Sequence, residues 1–225
     1  MPRFRRTVLL ALTVVPTSLA AQGTRCPPID SLAPWARVQR AWQTETGQRW
    51  TNDSLRRQLL RMREEDQAER RDFGARLGDS AYVRTLMAHD SARARTIAGI
   101  LDSHGLPGRA LVGAAGADAV MLMVQHHSSL QHRVLDLAQR LPPGEISPTA
   151  LAMLEDRVRA AEGKPQRYAT QFTLGPDTLF QLAPTEDLPG LEARRVRVGL
   201  APLATYVCFM EEAGTRINRR SLPPS

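Results

Sequence analysis

Three interruptions of apolar helical stripes hold the residues best suited to chemistry: Asp66, Asp90, and the Gln125-His126-His127 run that follows the apolar stretch Ala119–Val124. A carboxylate or imidazole on a core-facing position costs several kcal/mol if left alone, on the order of 3–5 for a broken buried pair. Such groups therefore pair with each other, with arginine, with a metal or with a ligand. Asp66, Asp90 and His126 are the candidates for acid–base work, since burial tunes a carboxyl upward and imidazole titrates near neutrality. A hydrolase-type enzyme built on His126 with Asp66 or Asp90 is one reading. A network that only fixes helix register is another, because structural networks also perturb titration. The spacing matches no HExxH or other compact ligand motif, so no metal ligand is assigned and the cofactor is left open.

These residues sit on elements whose limits are written locally. Asn52 or Asp53 caps a helix from about Asp53 to Leu77, with Leu55, Leu59 and Met62 leading to Asp66 on the seam. Asp79 or Ser80 starts the next helix, which stops at Gly105-Leu-Pro107; its stripe of Val83, Leu86, Ile97, Ile100 and Leu101 is broken by Asp90. The short connection predicts antiparallel packing, so the two aspartates could meet. A central helix is expected from Ala117 to Leu141, with Gln125 enclosed and His132 and Asp136 wet. Ser147-Pro148 opens a helix to Gly163 on the pattern of an N-cap followed by proline. Its stripe of Leu151, Leu154 and Val158 turns Asp156-Arg157 outward as a solvated pair.

Beyond Gly163, residues 166–182 read as a β-hairpin around Gly175-Pro-Asp177, and two further helical pieces occupy Leu191–Val198 and Leu203–Glu212. The expected fold is mainly α: residues 53–213 form a single helical domain with a small β-hairpin near the C-terminal third. Residues 22–52 form a lead-in with a short helix, and residues 214–225 a disordered tail.

Residues 1–21 read as a secretory signal: Arg3, Arg5 and Arg6 precede the apolar run Thr7–Val15, and Ala20 and Ala21 offer a small-residue cleavage site. Removing those three arginines lowers the formal charge from +7 to +4 and leaves 204 of 225 residues. That length suits one domain, and no later segment is apolar for the ~20 residues a stable membrane span needs. The expected location is periplasmic or secreted. Lys164 is the only lysine among 30 basic residues and aromatic residues do not interleave with the arginines, so nucleic acid is not an expected partner. In an oxidising compartment Cys26 and Cys208 form a bridge or remain two buried thiols, and the sequence leaves both open. The oligomeric state is equally open.

Gln125-His126, Leu154-Glu-Asp-Arg157 and Gln166-Arg-Tyr-Ala-Thr-Gln171, with Asp66-Gln67, Gly105-Leu-Pro107 and Arg194-Arg195, resemble a bacterial family catalogued as domain of unknown function 6624. The likeness runs from about Leu55 to Tyr206. Its most specific element is a Gln-x-Tyr-Gly-Thr-Gln string, matched at Gln166, Tyr168, Thr170 and Gln171, with Ala169 in place of the usual glycine. Ser128 also departs from the acidic residue usual after Gln-His. The resemblance implies a shared helical fold and polar cluster and brings no activity. It adds Gln67, Gln125, Asp156, Arg157, Gln166, Tyr168, Thr170 and Gln171 as ligand-binding candidates. Their uncharged donors and acceptors suit a small polar or peptidic ligand. The alternatives are the hydrolase and a structural or protein-interaction module.

Overall fold

The computed structural model describes residue 26 and residues 33–45, 49–73, 76 and 78–223. The expected signal segment and cleavage site lie outside the described residues. The described chain is mainly helical: α1 (Pro34–Gln43), α2 (Asp53–Arg70), α3 (Ser80–His104), α4 (Arg109–Val124), α5 (Ser128–Arg140), α6 (Pro148–Ala161), the strands β1 (Phe172–Leu174) and β2 (Phe180–Leu182), α7 (Leu191–Arg197) and α8 (Leu203–Glu212). No helix among the described residues is long and apolar enough to cross a membrane. Contacts divide the chain into two compact units. Gln39–Leu154 forms one; Glu155 onward, with the described residues up to Val38, forms the other.

In the Gln39–Leu154 unit the local signals place the helices. Asn52 caps α2 by accepting the Leu55 N–H at 3.0 Å, and Asp79 caps α3 by accepting from Ala81 and Tyr82. Gly105, at φ 69°, ends α3 in a conformation glycine adopts without penalty. Apart from Arg109 and Asp118, α4 carries only apolar or small residues, and Val112, Ala117, Val120, Met121, Met123 and Val124 are all buried. α2 packs chiefly on α4.

Two helix limits differ from the sequence expectation. α2 stops at Arg70 and not at Leu77, in a segment that Gly74 and Gly78 punctuate. The single helix expected over Ala117–Leu141 is two helices, parted at Gln125-His126-His127. There the chain tightens, with Gln125 N–H donating to Leu122 O and His126 N–H to Met123 O at i−3 spacing. His127, at φ −125° and ψ 89°, then starts α5 afresh. No proline or glycine marks this break; the polar run itself is the turn.

In the other unit, β1 and β2 pair antiparallel with Thr173 opposite Gln181. The hairpin is shorter than the expected 166–182, because residues 166–171 form a loop with one isolated bridge, Gln166 to Thr185. Phe172, Leu191, Leu203, Val207, Met210 and Ile217 make one apolar cluster with Ala169. Ile217 corrects the expectation of a disordered tail from Gly214. It is buried, and its neighbours hold Phe180 on both sides through Phe180 N–H to Arg216 O and Asn218 N–H to Phe180 O, each 2.8 Å. A 3-10 turn at Arg219–Ser221 follows.

Cys26 and Cys208 are joined by a disulfide with Cα atoms 5.7 Å apart, and the Cys26 N–H donates to Glu212 Oε1 at 3.0 Å. A bridge across so long a stretch of chain restricts the unfolded ensemble strongly. Peptide mapping without reductant is expected to recover a Cys26–Cys208 linked peptide. Quantitative alkylation of both cysteines before reduction would contradict it.

Candidate functional site

The candidate residues fall into two clusters, one in each unit. In the first, Asp66 is 1% exposed on the inner face of α2, and four groups surround it. Gln67 Nε2 donates to Asp66 Oδ2 at 2.9 Å and Arg70 Nε to Oδ1 at 3.1 Å; Arg93 Nη1 stands 3.6 Å from Oδ1, and His126 Nε2 3.6 Å from Oδ2. Arg70 Nη2 also pairs with Asp90, and Arg93 donates to Asp90 at 3.3 Å and to Glu69 at 2.5 Å. The two seam aspartates are thus linked through Arg70, one helical turn from Asp66 and therefore on the same face.

Electrostatics favours the charged forms of Glu69 and Arg70. Burial works against the Glu69 carboxylate, but hydrogen bonds from Arg93 and His89 hold it below its ordinary value. Arg70 is likewise opposed by burial and raised by Asp90 and Asp66. The turn after α4 is more enclosed. Gln131 Nε2 donates to Gln125 O at 3.1 Å, which ties α5 to that turn. Gln125 Oε1 and His127 Nε2 are buried with no hydrogen-bond partner among the described residues, and burial lowers the His127 imidazole. Among the described residues the Gln125 side chain makes no hydrogen bond to either aspartate. Among the described residues no three His, Cys, Asp or Glu side chains stand together as a metal set requires.

The second cluster is built around Asp156, 0% exposed, which corrects the reading of Asp156-Arg157 as a solvated pair; Arg157 is buried as well. The reason is the loop of residues 166–171, which closes over this face of α6. Asp156 Oδ1 accepts the N–H groups of Arg167 at 2.7 Å and Tyr168 at 3.1 Å. Oδ2 accepts those of Tyr168 and Thr170 at 3.1 Å and the Thr170 hydroxyl at 2.9 Å. Converging N–H groups need a backbone that reverses, and Ala169 does so at φ 55°. That left-handed conformation explains why the related string carries glycine there. Burial pushes the Asp156 carboxyl up, against the pull of these hydrogen bonds.

Gln166 fastens the ends of the loop. Its Nε2 donates to Gln171 O and Ala183 O at 3.0 Å, and its Oε1 accepts the Gln171 N–H at 2.8 Å. Arg195, 0% exposed on α7, ties the loop from the other side: its Nη1 donates to Tyr168 O and to Ala169 O, and its Nε to Ala201 O at 2.8 Å. Burial pulls the Arg157 guanidinium down to about 10 and lowers Arg195 too, yet both stay charged at neutral pH. Tyr168 is partly exposed at the loop's outer edge, with Arg167 stacked 5.7 Å from its ring centre.

Gln171 and Arg195 each leave a polar atom of this cluster unsatisfied. Gln171 Oε1 and Arg195 Nη2 have no hydrogen-bond partner among the described residues, although their side chains are 1% and 0% exposed. The first is an acceptor and the second a donor. Arg70, Arg93 and Arg195 are absent from the sequence-derived candidates. A signal existed for each: Arg70 lies four residues after Asp66, Arg93 falls on the Leu86–Ile97 stripe, and Arg195 follows Leu191 by one turn.

The model of a family described as a family of unknown function (DUF6624) matches residues 53–217, which include both clusters. No curated protein matches, and no solved structure matches.

Proposed function

From the residues of a chain that belongs to the DUF6624 family, we propose an exported binding protein that holds a small amide-bearing ligand at the loop of residues 166–171. The observation that carries this reading is the pair Gln171 Oε1 and Arg195 Nη2. Each unsatisfied buried polar atom costs about 1–3 kcal/mol. A ligand amide offers an N–H to the first and a carbonyl to the second, which recovers both costs on binding. Asp156, Gln166 and Thr170 shape the loop, and Arg157 adds positive charge beside it. The Cys26–Cys208 bridge supports export, since disulfides persist in oxidising compartments.

The Asp66 cluster favours a different role. Asp66 already has partners in Gln67 and Arg70, with Arg93 and His126 nearby, and Arg70 joins it to Asp90. A carboxylate so occupied is a good clamp, so we assign this cluster to fixing α2 against α3.

The test is titration of the protein with N-acetylglycinamide and N-acetylglucosamine, observed through the side-chain N–H resonances of Gln171 and Arg195. Saturable shifts are expected at both. Gln171→Met is expected to abolish the shift at Arg195 while leaving the unliganded melting temperature nearly unchanged, because the unpaired acceptor is removed together with the Nε2 hydrogen bond to Thr170 Oγ1 at 2.9 Å. No shift with either probe, together with a lower melting temperature in Gln171→Met, would reduce the loop to a structural element.

A further inference from the structure

The helix α4 is broken at Gly113, whose φ is 71°, and the break serves a second polar centre in the Gln39–Leu154 unit. A Cβ on Gly113 would stand 2.2 Å from Arg56 Nη1 and 2.7 Å from Glu45 Oε1, so only glycine admits this approach. Glu45 uses the opening: its Oε1 accepts the Ala115 N–H at 3.1 Å, capping the helix that restarts after Gly113. Arg56 clasps the same carboxylate with two hydrogen bonds of 3.1 and 2.9 Å, donates to Val112 O at 2.8 Å and stacks 4.0 Å from the Trp50 ring centre. Glu45 is fully matched.

One turn further along α4 stands Asp118, the only charged residue between Leu111 and Val124. Trp42 Nε1 lies 2.9 Å from both of its carboxylate oxygens, and one N–H leaves most of their acceptor capacity unused. Asp118 lines a half-enclosed cavity of about 190 Å³ together with Glu45, Arg63, Ala114, Ala115 and the exposed Gln43. At ~30 Å³ per water this is room for about six waters. Among the described residues Arg63 forms no hydrogen bond and no ion pair, with Asp118 or with any other group. The cavity therefore carries a positive and a negative group on its wall that do not close on each other.

We propose that this cavity binds a small zwitterion of the α-amino acid class, its carboxylate on Arg63 and its ammonium on Asp118. Two opposite charges that line a cavity of that size without forming an ion pair match the two ends of such a ligand. A simple anion would leave Asp118 unmatched, and a simple cation would leave Arg63 unmatched. The Trp42 indole holds the Asp118 carboxylate in place without neutralising it. Burial pushes the carboxyl up to about 6, and an ammonium beside it would bring it down again.

The experiment is calorimetric titration of the purified protein with L-alanine, and with propionate and ethylamine, which carry one charge each. Saturable binding of alanine is expected, with both single-charge compounds at least about tenfold weaker. Arg63→Gln and Asp118→Asn should each weaken alanine about tenfold or more without loss of helical content. In the unaltered protein, affinity should fall as pH drops through the Asp118 titration, which keeps the test decisive if a variant misfolds. Absence of saturable alanine binding to about 10 mM, equal binding of propionate or ethylamine, or full affinity in both variants would overturn the proposal.

Discussion

Asp156→Asn is expected to destabilise the protein by about 3–5 kcal/mol, a fall of roughly 10 °C in melting temperature for a chain of this size. Both carboxylate oxygens face donors only: Oδ1 faces the N–H groups of Arg167 and Tyr168, and Oδ2 those of Tyr168 and Thr170 with the Thr170 hydroxyl. An asparagine amide has one acceptor end. Turned one way, its NH₂ opposes the Arg167 N–H, whose bond to the carboxylate is 2.7 Å; turned the other way, it opposes Thr170. Neither flip satisfies the loop. Glu155→Gln gives the contrast one residue away: its pair with Arg167 is 3.2 Å long, and the Arg167 side chain is 40% exposed, so the cost should stay below about 1 kcal/mol. Chemical denaturation of both variants measures the difference. An Asp156→Asn protein within about 1 kcal/mol of the unaltered chain would mean that the loop does not depend on its acceptor.

This contrast also shows where sequence reasoning stops. Caps are local, and Asn52, Asp79, Gly105 and Ser147-Pro148 announced helix limits that the structure keeps. Asp66 was visible because a carboxylate interrupts a period of 3.6 residues. Asp156 was not, because periodicity asks only which face meets neighbouring helices. What buries Asp156 is a set of backbone N–H groups 11 to 14 residues away, and backbone groups leave no trace in residue type. The single trace was indirect: a string whose relatives carry glycine at the position of Ala169, where φ is 55°. The break between α4 and α5 was hidden for a related reason. Gln125, His126 and His127 are tolerable helix residues, so nothing local contradicts a continuous helix; enclosure of their neighbours, a tertiary fact, decides the turn. Asp118 could have been found from the sequence, as one charge in an otherwise apolar helix, but its Trp42, Arg63 and Glu45 neighbours could not.

Asp118→Asn should stabilise the protein by about 3 kcal/mol above pH 7 and leave it unchanged near pH 3.5, the opposite sign to Asp156→Asn. The carboxyl is pushed from 3.8 up to about 6, with burial as the main cause. Trp42, Arg63 and Arg109 pull it down, less strongly, and Glu45 adds to the rise. Between those two values the folded state binds more protons than the unfolded chain. Stability therefore falls as pH climbs from about 4 to about 6, and the loss persists above that window. Asparagine carries no charge to desolvate, and its carbonyl still accepts the Trp42 N–H, so the variant should show no such fall. Denaturation midpoints of both proteins across pH 3.5 to 8 would separate the two curves. The loss at neutral pH is the thermodynamic counterpart of an unneutralised carboxylate, and sites that bind ligands commonly hold such charge. A variant less stable than the unaltered protein at pH 7.5 would show instead that Asp118 is satisfied in the folded chain, and the zwitterion site would lose its negative wall.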